Sequence, residues 1–245
     1  MKGHIHNLTI SDYECSLYLP SEYYTSHKNY PVVYINGDSI EQEFMEDIEP
    51  HFGADYGEFI LLGIQSKNWN KDFTPWPAKP LTKKGESFEG GALDYLNVLT
   101  NTIKPFMDEH YKTKPEPSNT ALIGYSLGGL VSLYALYNFG AFGKIGSLSG
   151  SLWYDDWIEF MNSHTPVNVS AKVYMSLGKV EEKSRNKRMA KVGSCTREAF
   201  EILEKQLSFK ENITLDWNEG GHFTKIPYRF KKALLWLMKD MHKFM

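Results

Sequence analysis

Two stretches near the start of the chain, His4 to Ile10 and Tyr13 to Leu19, alternate polar and apolar residues on either side of Ser11-Asp12, a turn-forming pair. Alternation of this kind marks strands with one wet face, so the pair is expected as the antiparallel edge of a sheet. Six later runs have another character. Pro31 to Ile35, Phe59 to Ile64, Thr120 to Ile123, Lys144 to Leu148, Lys172 to Leu177 and Ile213 to Trp217 are short, apolar and β-branched, with turn residues at their ends. Such runs predict parallel strands buried on both faces.

The segments between them carry helical spacing. Gly91 to Tyr111 sets Leu93, Leu96, Leu99, Ile103 and Phe106 on one stripe, and Ser126 to Phe139 and Thr196 to Leu207 behave alike. Tyr228 to Phe244 places Phe230, Leu234, Leu237, Met238 and Met241 opposite Lys231, Lys232, Lys239 and Asp240, an amphipathic terminal helix. Strand and helix therefore alternate, which implies an α/β fold: a mostly parallel central sheet with helices on both faces and a site at the carboxyl ends of the strands. One long segment, Gln65 to Gly90, has no periodicity and is rich in Trp, Pro, Lys and Gly. A loop of that length in a compact domain is usually functional, and it is expected as a pocket wall.

Composition narrows the picture. The 245 residues are 42% hydrophobic and 23% charged, suited to one domain spanning 1–245 around one large core. A formal charge of -3 with scattered Lys and Arg argues against a nucleic-acid partner. No run approaches the roughly 20 apolar residues of a spanning helix, and the start lacks a basic and then apolar leader, so neither a membrane nor export is expected. Cys15 and Cys195 stand far apart with no ligand cluster, which fits a reducing cytoplasm and suggests neither disulfide nor zinc.

The sharpest chemical signal is Gly124-Tyr125-Ser126-Leu127-Gly128, between the strand ending at Ile123 and the helix starting near Ser126. Strand, tight turn and helix with flanking glycines describe an elbow that holds a nucleophilic Ser126 above the sheet, with the Leu127 N–H at the helix start aimed at a developing oxyanion. A serine hydroxyl needs a base. His222, in Asn218-Glu219-Gly220-Gly221-His222 after the last strand, has the chain position for it. An acid should follow the strand Lys172 to Leu177, where Glu181 is the first choice and Glu182 the alternative. The second oxyanion donor is expected from the N–H groups of Asp38 or Ser39, after Asn36-Gly37.

Other features carry less. His4 and His6 form an H-x-H pair without further ligands nearby, so no metal is expected. Ser147, Ser149 and Ser151 follow a strand without the elbow pattern and are expected to shape the pocket. Among the aromatics after strands, Trp69, Phe73, Trp76, Trp153, Tyr154 and Trp157, we expect Trp76 and Trp153 to bind substrate.

These residues resemble the putative-esterase branch of the α/β-hydrolases, which includes esterase D, feruloyl esterases, mycolyltransferases and enterobactin-type siderophore esterases. The resembling stretches are Pro31 to Asp38, Phe73-Thr74-Pro75, Gly90-Gly91-Ala92 with its helix, Gly124 to Gly129, Ser147 to Trp153, the Gly178 loop and Gly220-Gly221-His222. The resemblance implies an α/β-hydrolase fold, Ser126 and His222 as catalytic pair, an acid on the Gly178 loop and no cofactor. Ser149 to Trp153 and Phe73-Thr74-Pro75 look most like the siderophore trilactone esterases, but Lys71 stands where those relatives usually carry an arginine, a departure that bears on catecholate recognition. The expected function is hydrolysis of small carboxylic esters through an acyl-enzyme, in a domain without a large cap. The alternatives are acyl transfer by the same residues and a silent binding protein of this fold. The expected partner is a small-molecule ester, with a homodimer left open as the assembly.

Overall fold

The computed structural model describes residues 1–37, 39–53 and 56–239. Its edge hairpin, β1 (His4–Ile10) and β2 (Tyr13–Leu19), turns at Ser11 and Asp12, both in the left-handed region with φ of 50° and 62°. The other sheet strands are β3 (Val32–Asn36), β4 (Ile60–Ile64), β7 (Thr120–Tyr125), β8 (Lys144–Leu148), β9 (Lys172–Gly178) and β10 (Ile213–Asn218). They form one eight-stranded sheet in the order β1-β2-β4-β3-β7-β8-β9-β10, antiparallel across β1-β2-β4 and parallel from β4 onward. This is the α/β-hydrolase arrangement, and each of the eight expected strands has a place in it.

The two faces of the sheet are filled by alternate residues of the same strands. Val32, Tyr34, Ile60, Leu62 and Leu122 point into one core, while Val33, Ile35, Leu61, Ala121 and Ile123 point into the other. That is why these strands read as unbroken apolar runs: with helices on both sides, neither parity of residue meets water. The first core is closed by α3 (Ala92–Val98), α4 (Lys104–His110), α5 (Leu127–Asn138), α6 (Trp157–Ser163) and α7 (Val192–Gln206). The second is closed by α1 (Gln42–Ile48) and α8 (Ile226–Met238). Helix α5 is buried along nearly its whole length, as a helix apolar on every side must be. No described helix is long and apolar enough to cross a membrane.

Three local features depart from the expected elements. Helices α1 and α6 span seven residues each and bury only Met45 and Ile48, and Trp157 and Met161, too few positions for a period to show. The helical segment after Gly91 runs from α3 to α4 through a π-turn, Leu99–Ile103, in which the Lys104 N–H bonds the Leu99 carbonyl. Pro105 follows at once; it has no N–H to give and its ring crowds the carbonyl four residues back, so the backbone widens there. The segment 65–90 contains a one-turn helix, α2 (Trp69–Asp72), and a small ribbon of β5 (Pro77–Ala78) and β6 (Phe88–Glu89).

A buried polar chain ties three elements beneath the site. The Tyr95 hydroxyl of α3 donates to Asn36 Oδ1 at 2.6 Å, and Asn36 Nδ2 at the end of β3 donates to Ser132 Oγ of α5 at 2.9 Å. Asn36 is fully buried, so each of these bonds replaces water that cannot reach it. Tyr95→Phe is expected to strand the Asn36 oxygen and lower stability by about 1–3 kcal/mol, seen as a lower urea midpoint at unchanged slope.

Candidate active site

Ser126 occupies the turn between β7 and α5 with φ 58° and ψ -121°, a conformation that costs a non-glycine residue strain and persists only where the surroundings impose it. The surroundings are unusually close. A Cβ on Gly124 would lie 2.4 Å from the Gly128 carbonyl, and one on Gly128 would lie 2.9 Å from the Asn36 carbonyl, so two glycines are needed for strand and helix to meet. The backbone of Ser126 is also bonded outward: its N–H donates to the Leu148 carbonyl and its own carbonyl accepts from Ser151 N, both at 3.0 Å. The hydroxyl thus stands at the start of a helix, beside Leu127, whose N–H has no acceptor within the helix.

Three loops meet at this point. His222, on the loop after β10, shares a hydrogen bond of 2.7 Å between its Nδ1 and Glu181 Oε2, from the 3₁₀ turn Glu181–Lys183 after β9. Glu181 Oε1 accepts from Ser149 Oγ and from Gly178 N, each at 2.7 Å, and from Arg229 at 3.0 Å. Burial pushes the Glu181 carboxyl up, but hydrogen bonds from His222, Ser149 and Gly178 together with the charge on His222 outweigh it and hold the group below its ordinary value. The Tyr125 hydroxyl donates to the carbonyl of His222. In the neutral ring, an Nδ1–H that donates this hydrogen bond to Glu181 leaves Nε2 as an acceptor.

Ser126, Leu127, Ser151, Glu181 and His222 line one cavity of about 440 Å³. The Ser126 hydroxyl shares a 3.3 Å contact with that of Ser151. A larger hollow of about 590 Å³ opens at the other ends of the strands, by Tyr30, Pro31 and Phe52, but among the described residues no serine, cysteine or histidine lines it.

The structure distributes the remaining expected residues unevenly. Glu182 turns away from the cavity and pairs with Arg197 at 3.1 Å, leaving Glu181 as the carboxylate on the histidine. Asp38 lies outside the described residues, and Ser39 faces a separate groove with Glu41, Phe44 and Ile226. Trp153 lines the cavity beside Trp69. Trp76 does not: its indole N–H donates to the Asp155 carbonyl at 3.0 Å and its ring is packed among Tyr134, Tyr154, Trp157 and Phe160. The pocket wall expected from 65–90 is supplied by Trp69, Asn70, Leu81 and Phe88. Ser149 and Ser151 line the cavity, whereas Ser147 is buried away from it. His4 and His6 sit at the sheet edge, where His6 Nε2 meets the Tyr24 hydroxyl at 3.3 Å, and no group of three potential metal ligands occurs among the described residues. Sequence reasoning missed Tyr125 and Arg229. A signal for Arg229 did exist: it is a lone charge on the apolar stripe Phe230, Ala233, Leu234 and Leu237.

A family model described as "Putative esterase" matches residues 7–224. The chain belongs to this family. The esterase is 31% identical over 242 residues to the "Uncharacterized protein YbbA" of Bacillus subtilis (strain 168), covering 97% of each chain. Its fold is similar to that of an IroE-like serine hydrolase from Shewanella oneidensis, with a TM-score of 0.79 at 19% identity over 97% of this chain and 81% of that one. It is similar too to the siderophore hydrolase EstB from Aspergillus nidulans, with a TM-score of 0.72 at 18% identity over 98% and 95%. By family, the esterase is a carboxylic ester hydrolase.

The electrostatics of Glu181 set a pH dependence. A carboxyl held below its ordinary value contributes stability that is complete above its unfolded pKa of about 4.3 and lost as pH falls through the lower folded one. Glu181→Gln also leaves the Arg229 charge buried without its anion, a loss of about 3 kcal/mol at neutral pH. Urea titrations of this variant and its parent should therefore converge as the pH is taken below the ordinary carboxylate range. Glu182→Gln, which breaks a pair that solvent reaches, should stay within about 0.5 kcal/mol of the parent throughout.

Proposed function

We propose that the esterase hydrolyses small esters through a covalent acyl-enzyme on Ser126, with His222 as general base and Glu181 as the group that orients it. The observation that carries this reading is the convergence of the strained serine elbow and the His222–Glu181 pair, at 2.7 Å, on one cavity. The neutral ring nitrogen of His222 takes the proton as Ser126 Oγ attacks the ester carbonyl, and the new C–O bond forms as the carbonyl electrons move onto oxygen. The Leu127 N–H at the start of α5 stabilises that oxyanion. Collapse expels the alcohol, which leaves with the proton from His222. Water then repeats the sequence on the acyl-enzyme, releasing the acid and restoring the serine.

The cavity favours an apolar or aromatic ester. Trp69, Phe88, Val180, Trp153, Met189 and Phe223 line it, so burying a ring or short chain there removes apolar surface from water on both partners. A siderophore-like aryl ester fits this wall, in keeping with the hydrolase named for the Aspergillus nidulans structure. The cation that such a substrate would meet is Lys183, which lines the cavity, whereas Lys71 lines a different hollow together with Asp94 and Glu89.

Intact-mass measurement after treatment with a fluorophosphonate should give a single adduct that is absent from Ser126→Ala and His222→Ala; folded parent protein without an adduct would favour a silent binding role. On p-nitrophenyl esters, Glu181→Gln should lower kcat by roughly 10³- to 10⁴-fold through loss of the correct histidine tautomer, while Glu182→Gln stays near the parent. The reverse ranking of the two glutamates would unseat the assignment.

A further inference from the structure

Arg229, on the first turns of α8, is buried to 1% exposure, and its guanidinium hydrogen-bonds the elbow, the loop after β8 and the turns that carry Glu181 and His222. Nη1 donates to the Tyr125 hydroxyl at 2.8 Å, to Ser149 Oγ at 2.6 Å and to Glu181 Oε1 at 3.0 Å. Nη2 donates to the carbonyl of Gly221, the residue before the histidine, at 2.7 Å. Elbow, β8 loop, acid turn and base loop therefore share one cation. Two of its acceptors pass the interaction on: Tyr125 donates to the His222 carbonyl, and Ser149 donates to Glu181 Oε1. A hydroxyl polarised by a cation is a stronger donor, so the bonds reinforce one another.

The packing around the guanidinium is built for it. A Cβ on Gly178 would lie 2.8 Å from both Arg229 Nη2 and Glu181 Oε1, and 2.6 Å from the Gly220 carbonyl, so only glycine leaves room where β9 ends. The acid turn and the base loop are also bonded to each other there, from Val180 N to the Gly220 carbonyl at 3.2 Å. Glu181 presents its two oxygens to different tasks: Oε2 meets His222, and Oε1 is held by Arg229, Ser149 and Gly178. Without the hold on Oε1 the carboxylate is free to rotate about its last bond, and the histidine loses the fixed acceptor that orients its ring.

We propose that Arg229 is a positioning residue for ester hydrolysis, acting through Glu181 and the Gly221 carbonyl to fix the orientation of His222. The inference rests on the serine, histidine and glutamate reading given above. Arg229 is not among the residues that line the cavity, so its removal acts on turnover and not on binding. A lysine keeps the charge but cannot span the separate acceptors with a planar fork, and it restores the function only in part.

The test compares Arg229→Met, Arg229→Lys, Glu181→Gln and the Arg229→Met/Glu181→Gln pair on p-nitrophenyl butyrate, with the fluorophosphonate labelling rate and a thermal melt for each. The double variant removes both charges together and avoids the lone buried carboxylate of Arg229→Met, so it remains informative where the single variant does not fold. Arg229→Met is expected to lose about 10²-fold in kcat and in labelling rate, as a misplaced catalytic group does, with KM within about twofold of the parent. Arg229→Lys should fall between the two. In the Glu181→Gln background the same Arg229→Met change should cost less than about threefold, because residues that act through one another are not additive. Parental kcat in Arg229→Lys and Arg229→Met, or full multiplication of the two losses in the double variant, would overturn the proposal. Ser126→Ala is labelled alongside: labelling that survives it would overturn the serine reading itself and this inference with it, so the two failures are told apart.

Discussion

At the carboxyl end of β7 the backbone of the strand and that of the following helix approach so closely that no methyl group fits between them: a Cβ on Gly124 would stand 2.4 Å from the Gly128 carbonyl. The contact fixes the direction in which α5 leaves the sheet. It forces Ser126 into a positive-φ turn, from which its side chain joins the cavity wall, and it sets the first N–H groups of the helix beside it. Asn36 reinforces the contact from the neighbouring strand, since its carbonyl packs on Gly128 while its side chain joins Tyr95 to Ser132. The position of Ser126 is thus a consequence of backbone packing, and the strain it carries is sustained by two buried cores.

A second constraint is the desolvation of charge. Glu181 and Arg229 are both buried, and a buried pair does not by itself make a protein stable, because removing two ions from water offsets their attraction. It does demand hydrogen-bond partners, which here recruits Ser149, Tyr125, Gly178 and Gly221 into one network and leaves only Nε of the guanidinium without a partner among the described residues. Hydrogen bonds from His222, Ser149 and Gly178 hold the Glu181 carboxyl below its ordinary value in spite of its burial. Four loops that diverge from the sheet are in this way brought to a common geometry at one cavity.

Much of this was legible in the chain. The apolar runs that became β3, β4 and β7 could be read because a strand covered on both faces has few polar residues to interrupt it, and those of β8, β9 and β10 because apolar residues still dominate them. The elbow could be read because its geometry admits few sequences, and His222 because two glycines and the last strand precede it. The choice between Glu181 and Glu182 could not: adjacent residues on a turn point in different directions, and which one meets the histidine depends on where β10 and α8 place Gly221 and Arg229. Trp76 and Trp153 were likewise equivalent as letters. One is packed beneath the loop with its N–H on Asp155, and the other faces the cavity.

By itself the sequence determined the order of the eight sheet strands and of the long helices along the chain, the turn that carries Ser126 and the family to which the protein belongs, because these follow from local periodicity, glycine spacing and short motifs. Only the tertiary structure decided which carboxylate serves His222, which aromatic rings form the cavity wall and that an arginine from the terminal helix lies at the centre of the network. Those are contacts between residues tens of positions apart, such as Glu181 with His222 and Arg229, and they exist only once desolvation and close packing have brought the loops to the same end of the sheet.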